Sequence, residues 1–125
     1  MSLLHYRELI AWQKSMALVR AVYALSREFP RDERFGLTSQ IRRAAVSVPS
    51  NVAEGQGRDS TKEFMHHLSI AYGSLMEVKT QVLIGQDLGY LEKETVSTFL
   101  QESAETGRII NGLMRSLRRK LTSDH

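Results

Sequence analysis

The chain has 125 residues, of which 42% are hydrophobic and 25% charged, and its formal net charge is +3. This composition predicts one domain spanning 1–125, and so small a charge does not by itself indicate nucleic-acid binding. There is no cysteine, which excludes disulfides and thiolate metal sites, and no apolar run approaches the roughly 20 residues that span a bilayer. We therefore expect a cytoplasmic protein that has no membrane association.

The first helix is predicted from about His5 to Glu28, because apolar residues recur there at helical spacing in two rows. The rows are Leu9, Trp12, Met16, Val19 and Tyr23, and Leu18, Val22, Leu25 and Phe29. One row suffices to pack a helix into a bundle, so the second row favours contact with another subunit, although a thick monomeric core is the alternative. Phe29 ends the helix, because the residue before a proline avoids helical geometry.

The second helix is predicted within Phe35 to Arg58, although Pro49 stands inside it. An interior proline costs roughly 3 kcal/mol in a helix. The apolar positions nevertheless continue through it on one face. They are Leu37, Ile41, Ala44, Ala45, Val48 and Val52. This continuity indicates one kinked helix held by tertiary packing, with Gly57 as a left-handed cap at its end.

A polar row accompanies the apolar face of the second helix. Its members are Gln40, Arg43, Ser47, Asn51, Glu54 and Arg58. Glu54 precedes Arg58 by four residues, the favourable order for a helical ion pair. The row is either a solvated shoulder or a contact surface that faces a subunit or a ligand. Arg42 and Arg43 point to different sides, and an ion pair of Arg43 with Glu54 is as compatible with the pattern as a contact with nucleic acid.

The third helix is predicted to start at a capping box formed by Ser60 and Glu63 and to end near Gly85 and Gly89, with Gly89 the better cap. Its main stripe is Phe64, Leu68, Ala71, Leu75, Val78 and Val82. A second row consists of Met65, Tyr72, Met76 and Leu83. This helix also has more apolar surface than one seam requires, so we predict a subunit interface at the second row.

The fourth helix is predicted to begin near Glu92 and to end in a frayed tail from Thr122 to His125. Its core stripe is Val96, Leu100, Ser103, Gly107, Ile110, Met114, Leu117 and Leu121. Ser103 and Gly107 are small, which lets a neighbouring helix approach closely. Short connections between four long helices favour an all-α, antiparallel up-down-up-down bundle.

The far end of the fourth helix is basic and is the best candidate for binding nucleic acid. Arg108, Arg115 and Arg119 share one face, and Arg118 lies beside them. Such a ridge is suited to phosphates, and repeating it around an oligomer would raise its avidity. The alternative is a solvated helix end whose positive charges suit the helix dipole.

Catalytic and metal-binding patterns are sparse. Glu63 and His66 form the Glu-x-x-His step of di-iron bundles, but the sequence has no second copy of it. His66 and His67 are therefore expected at the surface. No nucleophile elbow, phosphate loop or dinucleotide fingerprint occurs, and we expect a non-enzyme without a metal or cofactor.

One long stretch, FGLTSQIRRAAVSVPSNVAEGQGR, is followed by Ser60, by Lys62-Glu63-Phe64 and by LSIAYGSLMEV. With these motifs the chain resembles the four-helix-bundle family of bacterial ribosomal RNA intervening-sequence proteins, formerly labelled S23 ribosomal proteins. The resemblance runs from Trp12 to Leu91. It implies an antiparallel four-helix protomer in a ring-like homopentamer, and it implies no established biochemical role. The chain is more distantly similar to the accessory protein of diversity-generating retroelements, a basic pentamer that binds a reverse transcriptase and nucleic acid.

The residues and the resemblance together give two hypotheses. The first is a non-enzymatic binding or scaffold protein that engages structured RNA or DNA through repeated basic patches. The alternative is a protein-interaction adaptor with no nucleic-acid role, whose ring recruits a protein partner.

Overall fold

The computed structural model describes residues 5–123, and this part of the chain is helical without any β-strand. A 3₁₀ turn (Tyr6–Glu8) is followed by α1 (Ile10–Ser26), a second 3₁₀ turn (Arg31–Glu33), α2 (Leu37–Gln56), α3 (Thr61–Asp87) and α4 (Lys93–Ser123). The predicted all-α fold with four main helices is confirmed. Of the predicted frayed tail, Thr122 and Ser123 continue α4, and residues 124–125 lie outside the described residues. No helix within 5–123 is long and apolar enough to span a bilayer.

The first helix starts later than predicted. His5 does not open a continuous helix, because its backbone N–H donates to the Glu8 carboxylate (2.8 Å) and closes a separate 3₁₀ turn. Leu9 is then extended, with φ −71° and ψ 128°, and α1 begins after it. The row that contains Leu18 and Val22 is buried. In the other row Leu9, Trp12 and Val19 are half-buried against the core, whereas Tyr23 is exposed.

The second helix runs unbroken through Pro49, as the apolar pattern predicts. Pro49 is itself buried, and Val48 and Val52 on either side of it are completely buried. The burial of this face supplies the packing energy that offsets the lost backbone hydrogen bond. The predicted left-handed cap at Gly57 is wrong, because its φ is −79° and the chain leaves α2 in right-handed geometry.

Gly89 ends the third helix in the left-handed region, with φ +82°, as predicted. The backbone N–H of Tyr90 donates to the Gly85 carbonyl (2.8 Å) and that of Gly89 to the Gln86 carbonyl (3.0 Å). These two bonds form a Schellman motif, which satisfies carbonyls that a helix end leaves without partners. At the start of the helix, the Ser60 hydroxyl accepts a hydrogen bond from the Glu63 backbone N–H (3.2 Å), which is one of the two bonds of the predicted capping box.

Glu33 links the two connections at one end of the fold. One oxygen of its carboxylate accepts from the Leu37 backbone N–H at the start of α2 (3.0 Å). The other accepts from the Tyr90 hydroxyl in the connection between α3 and α4 (2.8 Å). The bonds from Leu37 and then from Tyr90 lower the pKa of Glu33 below its ordinary value, and the bond to Glu33 raises the pKa of Tyr90.

Two glycines lie at close approaches of α3 to its neighbours. A Cβ at Gly107 of α4 would lie 3.3 Å from the Leu75 side chain, in agreement with the predicted close approach. A Cβ at Gly55 of α2 would lie 2.7 Å from the Cβ of His67 and 2.9 Å from the Phe64 ring. This glycine near the end of α2 therefore allows α2 and α3 to touch.

Candidate functional site

The basic end of α4 is an exposed ridge. Arg108, Arg115, Arg118 and Arg119 are all exposed, and none of them pairs with a carboxylate of the described residues. At 3.6 residues per turn, the directions of Arg108, Arg115 and Arg119 fall within roughly 40° of one another. Their positions along the axis are about 10 Å and 6 Å apart. The ridge therefore presents three aligned guanidinium groups to solvent, with a fourth beside them.

Apolar contacts hold this ridge in place from below. The half-buried side chains of Leu113, Met114 and Leu117 pack against the core. Ile110 is the last fully buried residue of α4 in the described chain. Beyond it the helix keeps only one face on the protein, so its other face is open to a partner.

The first half of α4 has the opposite charge. Glu105 pairs with Lys14 of α1 (3.1 Å), and a groove of about 860 Å³ lies between α1 and α4. Its rim carries Glu28, Glu92, Glu94 and Glu102, and its floor includes Leu25, Leu91 and Phe99. Carboxylates repel phosphates, so any nucleic acid on α4 is confined to the second half of the helix.

The polar row of α2 makes a hydrogen-bonded cluster with α3. The Asn51 amide nitrogen donates to the Ser47 carbonyl (2.9 Å) and hydroxyl (3.0 Å), which turns its oxygen towards His67 Nδ1 (3.0 Å). His67 Nδ1 must then donate, so in the neutral ring the lone pair is on Nε2. Ser47 also shares a hydrogen bond with Ser74 of α3 (2.8 Å). These contacts place Ser47 and Asn51 at the contact between α2 and α3.

His67 is half-buried, not at the surface as predicted, whereas His66 is exposed. His67 packs against α2 because Gly55 has no side chain in the way and because the Asn51 amide bonds to its ring. Its ring lies 3.7 Å from the Glu54 carboxylate, which also makes the predicted pair with Arg58 (3.8 Å). Sequence spacing within one helix cannot reveal such a contact, because it depends on how two helices are aligned.

The pair Arg42 and Arg43 divides between two sides of α2, as predicted. Arg42 lies over the Tyr23 ring, 4.6 Å from its centroid, and its Nε donates to the Ser26 hydroxyl (2.8 Å). It therefore joins α2 to α1. Arg43 is exposed on the α3 side and lines a cleft of about 510 Å³. It makes no ion pair with Glu54, which pairs with Arg58 and lies 3.7 Å from the His67 ring.

The second apolar row of α3 is used partly within the chain. Met65, Tyr72 and Met76 are half-buried, and Leu83 is 47% exposed. Tyr72 and Met76 pack against the core, and the Tyr72 ring would lie 3.6 Å from a Cβ at Gly107. Intrachain packing thus accounts for part of the apolar excess, and the exposed remainder is available to another subunit.

No group of three or more His, Asp or Glu side chains in residues 5–123 is placed to hold a metal ion. Glu63 and His66, which form the Glu-x-x-His step, therefore lack the further ligands that a di-iron centre requires. The exposed arginines of α4 offer guanidinium donors of the kind that bind phosphate and carboxylate oxygens.

Comparison with known proteins gives a family and a fold. The family model described as "23S rRNA-intervening sequence protein" matches residues 7–112. A solved structure of a protein with unknown function from the S23 ribosomal protein family of Bacteroides thetaiotaomicron superposes with a TM-score of 0.78 at 19% identity, covering 85% of this chain and 96% of that one. No curated protein matches the sequence. The matched range includes Arg108 and ends before Arg115, Arg118 and Arg119.

Proposed function

This chain belongs to the family of 23S rRNA-intervening sequence proteins, and we propose that it is a non-enzymatic binding or scaffold protein that engages structured RNA or DNA. The observation that carries the proposal is the ridge on α4, where Arg108, Arg115 and Arg119 stand aligned and exposed. Arginine forks bind phosphate oxygens in pairs of hydrogen bonds, and a straight ridge matches a nucleic-acid backbone. Recognition of this kind depends on shape and charge rather than on base sequence.

The proposed assembly is an antiparallel four-helix bundle that forms a ring-like homo-oligomer, with the pentamer that the family resemblance implies. Ser47 of α2 meets Ser74 of α3, while the later residue Asn51 meets the earlier residue His67, which supports opposite directions for these helices. Exposed apolar residues on α3, including Ile70 and Leu83, supply surface for a subunit contact. A ring repeats the ridge, so modest individual sites act with an avidity gain of roughly 10²–10⁴.

The salt dependence of binding follows from the number of arginines. Each phosphate that a protein neutralises on duplex DNA contributes about −0.9 to the slope of log K against log salt concentration. Three to four contacts in one protomer give a slope of about −3. Raising the salt from 50 to 200 mM then weakens binding by roughly 40- to 150-fold. Engagement of several protomers makes the slope steeper.

The test measures fluorescence anisotropy of a labelled RNA hairpin and a duplex DNA across a salt series. The variant Arg108→Glu/Arg115→Glu/Arg119→Glu is expected to lose binding and to keep the oligomeric mass of the parent. Its matched control is Arg20→Glu/Arg27→Glu/Lys93→Glu, which makes the same charge change at three exposed positions elsewhere. Unchanged binding in the α4 variant, or an equal loss in the control, would refute the site assignment.

A protein-interaction adaptor with no nucleic-acid role is the second candidate. The groove between α1 and α4 favours it, because an apolar floor with an acidic rim suits a basic amphipathic helix of a partner. Such an adaptor would recover one protein in stoichiometric amount from a lysate, and nuclease treatment would leave the recovery unchanged. It would also bind neither nucleic acid at low salt.

A further inference from the structure

Phe35 is the most exposed large hydrophobic residue of the described chain, with 87% of its surface accessible. It follows Arg34, whose guanidinium carbon lies 5.2 Å from the centroid of the Phe35 ring. The backbone around it is anchored, because the carboxylate of Glu33, two residues earlier, is bonded both to the start of α2 and to Tyr90. A solvent-exposed aromatic ring next to a guanidinium group is a surface on which a flat, electron-rich ligand can stack.

Phe35 also forms one end of the cleft between α2 and α3. The polar side chains that line this cleft include Ser39, Gln40, Arg43, Ser74 and Glu77. Its volume of about 510 Å³ lies within the range of small-molecule sites in proteins. The lining combines amide, hydroxyl, guanidinium and carboxylate groups, so it offers both donors and acceptors next to an aromatic platform.

We propose that Phe35 and this cleft bind an unpaired nucleobase of a single-stranded segment, a specificity that rests on the proposed nucleic-acid function. The base stacks on the exposed ring, and its edge meets the polar groups of the cleft. Stacking on protein aromatics is a general mode of binding to single strands, and unpaired bases are the parts of RNA whose edges are accessible. Arg34 and Arg43 then lie beside the base, where the backbone phosphates pass.

Glu77 determines which part of the nucleotide enters the cleft. Its carboxylate repels a phosphate but accepts a hydrogen bond from the exocyclic amino group of cytosine, adenine or guanine. The base therefore points inward and the phosphates stay outside. The same reasoning favours cytosine over uracil, because uracil presents a carbonyl where cytosine has its amino group.

The site is separate from the α4 ridge. The bond from Tyr90 to Glu33 places Phe35 near the start of α4, whereas Arg115 and Arg119 are near the other end of that 31-residue helix. Substitutions at the two places can therefore be read independently. A structured RNA would present a paired stem to the ridge and a loop or single-stranded end to the cleft.

The experiment uses the full chain with single-stranded oligocytidine and oligouridine, a hairpin with a single-stranded tail, and a blunt duplex. Phe35→Ala is expected to weaken single-strand and tailed-hairpin binding by about tenfold and to leave duplex binding unchanged. Phe35→Trp is expected to retain binding, because its larger ring still stacks. Glu77→Gln is expected to narrow the preference for cytosine over uracil. The control is Leu88→Ala, which removes another exposed apolar side chain, 53% accessible.

Each result has a definite meaning. If Phe35→Ala binds single strands as tightly as the parent while the triple α4 variant loses the duplex, the cleft proposal is refuted and the proposed function stands. If the triple α4 variant binds the duplex as tightly as the parent while Phe35→Ala loses single-strand binding, the ridge assignment is refuted and the cleft proposal stands. If Phe35→Ala changes the oligomeric mass without changing binding, Phe35 is a subunit contact and the proposal is overturned.

Discussion

Two glycine-to-alanine substitutions should change the stability of this protein in opposite directions. Gly55 and Gly73 both lie within helices, α2 and α3 respectively. A Cβ at Gly73 would meet nothing within 4 Å, whereas a Cβ at Gly55 would lie 2.7 Å from the Cβ of His67. The chemical change is the same, so the difference in unfolding free energy reports mainly on the close approach of α2 to α3.

The magnitudes follow from helix propensity and packing. Gly73→Ala should raise the free energy of unfolding by roughly 0.5–1 kcal/mol, because alanine loses less conformational entropy than glycine when it folds into a helix. Gly55→Ala gains less stability from helix propensity, because Gly55 lies in the last turn of α2. The new Cβ must also push the two helices apart, because its contacts include the Phe64 backbone carbonyl (3.2 Å). Overpacking of this kind costs about 1–3 kcal/mol, so we expect a net loss of about 1–2 kcal/mol in Gly55→Ala.

Thermal and urea unfolding, followed by circular dichroism, measure this difference. Each kcal/mol shifts the midpoint temperature by about 4 °C in a domain of this size. The variants must be compared at equal protomer concentration, and at two concentrations, because association stabilises the folded state. If Gly55→Ala is as stable as Gly73→Ala, the contact between α2 and α3 is looser than described and the reasoning fails.

Two further predictions concern the linked connections and the subunit contact. The lowered pKa of Glu33 means that its contribution to stability is present above the ordinary value of 4.5 and is lost as the pH falls through the folded pKa. The free energy of unfolding of Glu33→Gln and Tyr90→Phe, measured with denaturant, should therefore vary less steeply with pH below that value. A slope equal to the parent's would contradict this role. The raised pKa of Tyr90 has the converse effect, since that contribution is lost as the pH rises through its folded pKa. Met76→Glu should yield smaller assemblies by light scattering than the parent or the exposed control Gln101→Glu, because it places a charge on the second apolar row of α3. A folded Met76→Glu variant with the parent's mass would show that the interface lies elsewhere.

The sequence predicts the helices well because each apolar stripe is long. The stripe of α2 carries the helix through Pro49, where the local proline rule alone would break it, since burial outweighs one missing hydrogen bond. Gly89 and Gly107 are also predicted correctly. Gly57 is not, because a glycine near a helix end permits left-handed geometry without requiring it. Tertiary contacts outside the helix decide which of the two occurs.

The candidate sites divide in the same way. The arginine ridge follows from spacing within one helix, so the sequence alone aligns Arg108 with Arg115 and Arg119. The bond between Asn51 and His67 depends on the register of α2 against α3, which no single helix encodes. Phe35 is two residues before Leu37 and out of step with the stripe of α2, and that mismatch is the signal by which its exposure could have been predicted.

Burial determines which substitutions can report on function. The ridge and Phe35 are exposed, so changing them alters few contacts within the protein, and loss of binding there can be attributed to a lost contact with ligand. Asn51 and His67 connect α2 to α3 beside Gly55, so changing either one also loosens the packing of these helices. A binding defect in Asn51→Ala would not distinguish a ligand contact from a shifted α3. The arginines beyond Ile110 therefore provide the sharper test, because they extend past the last fully buried position of α4 and can be replaced while the core is kept.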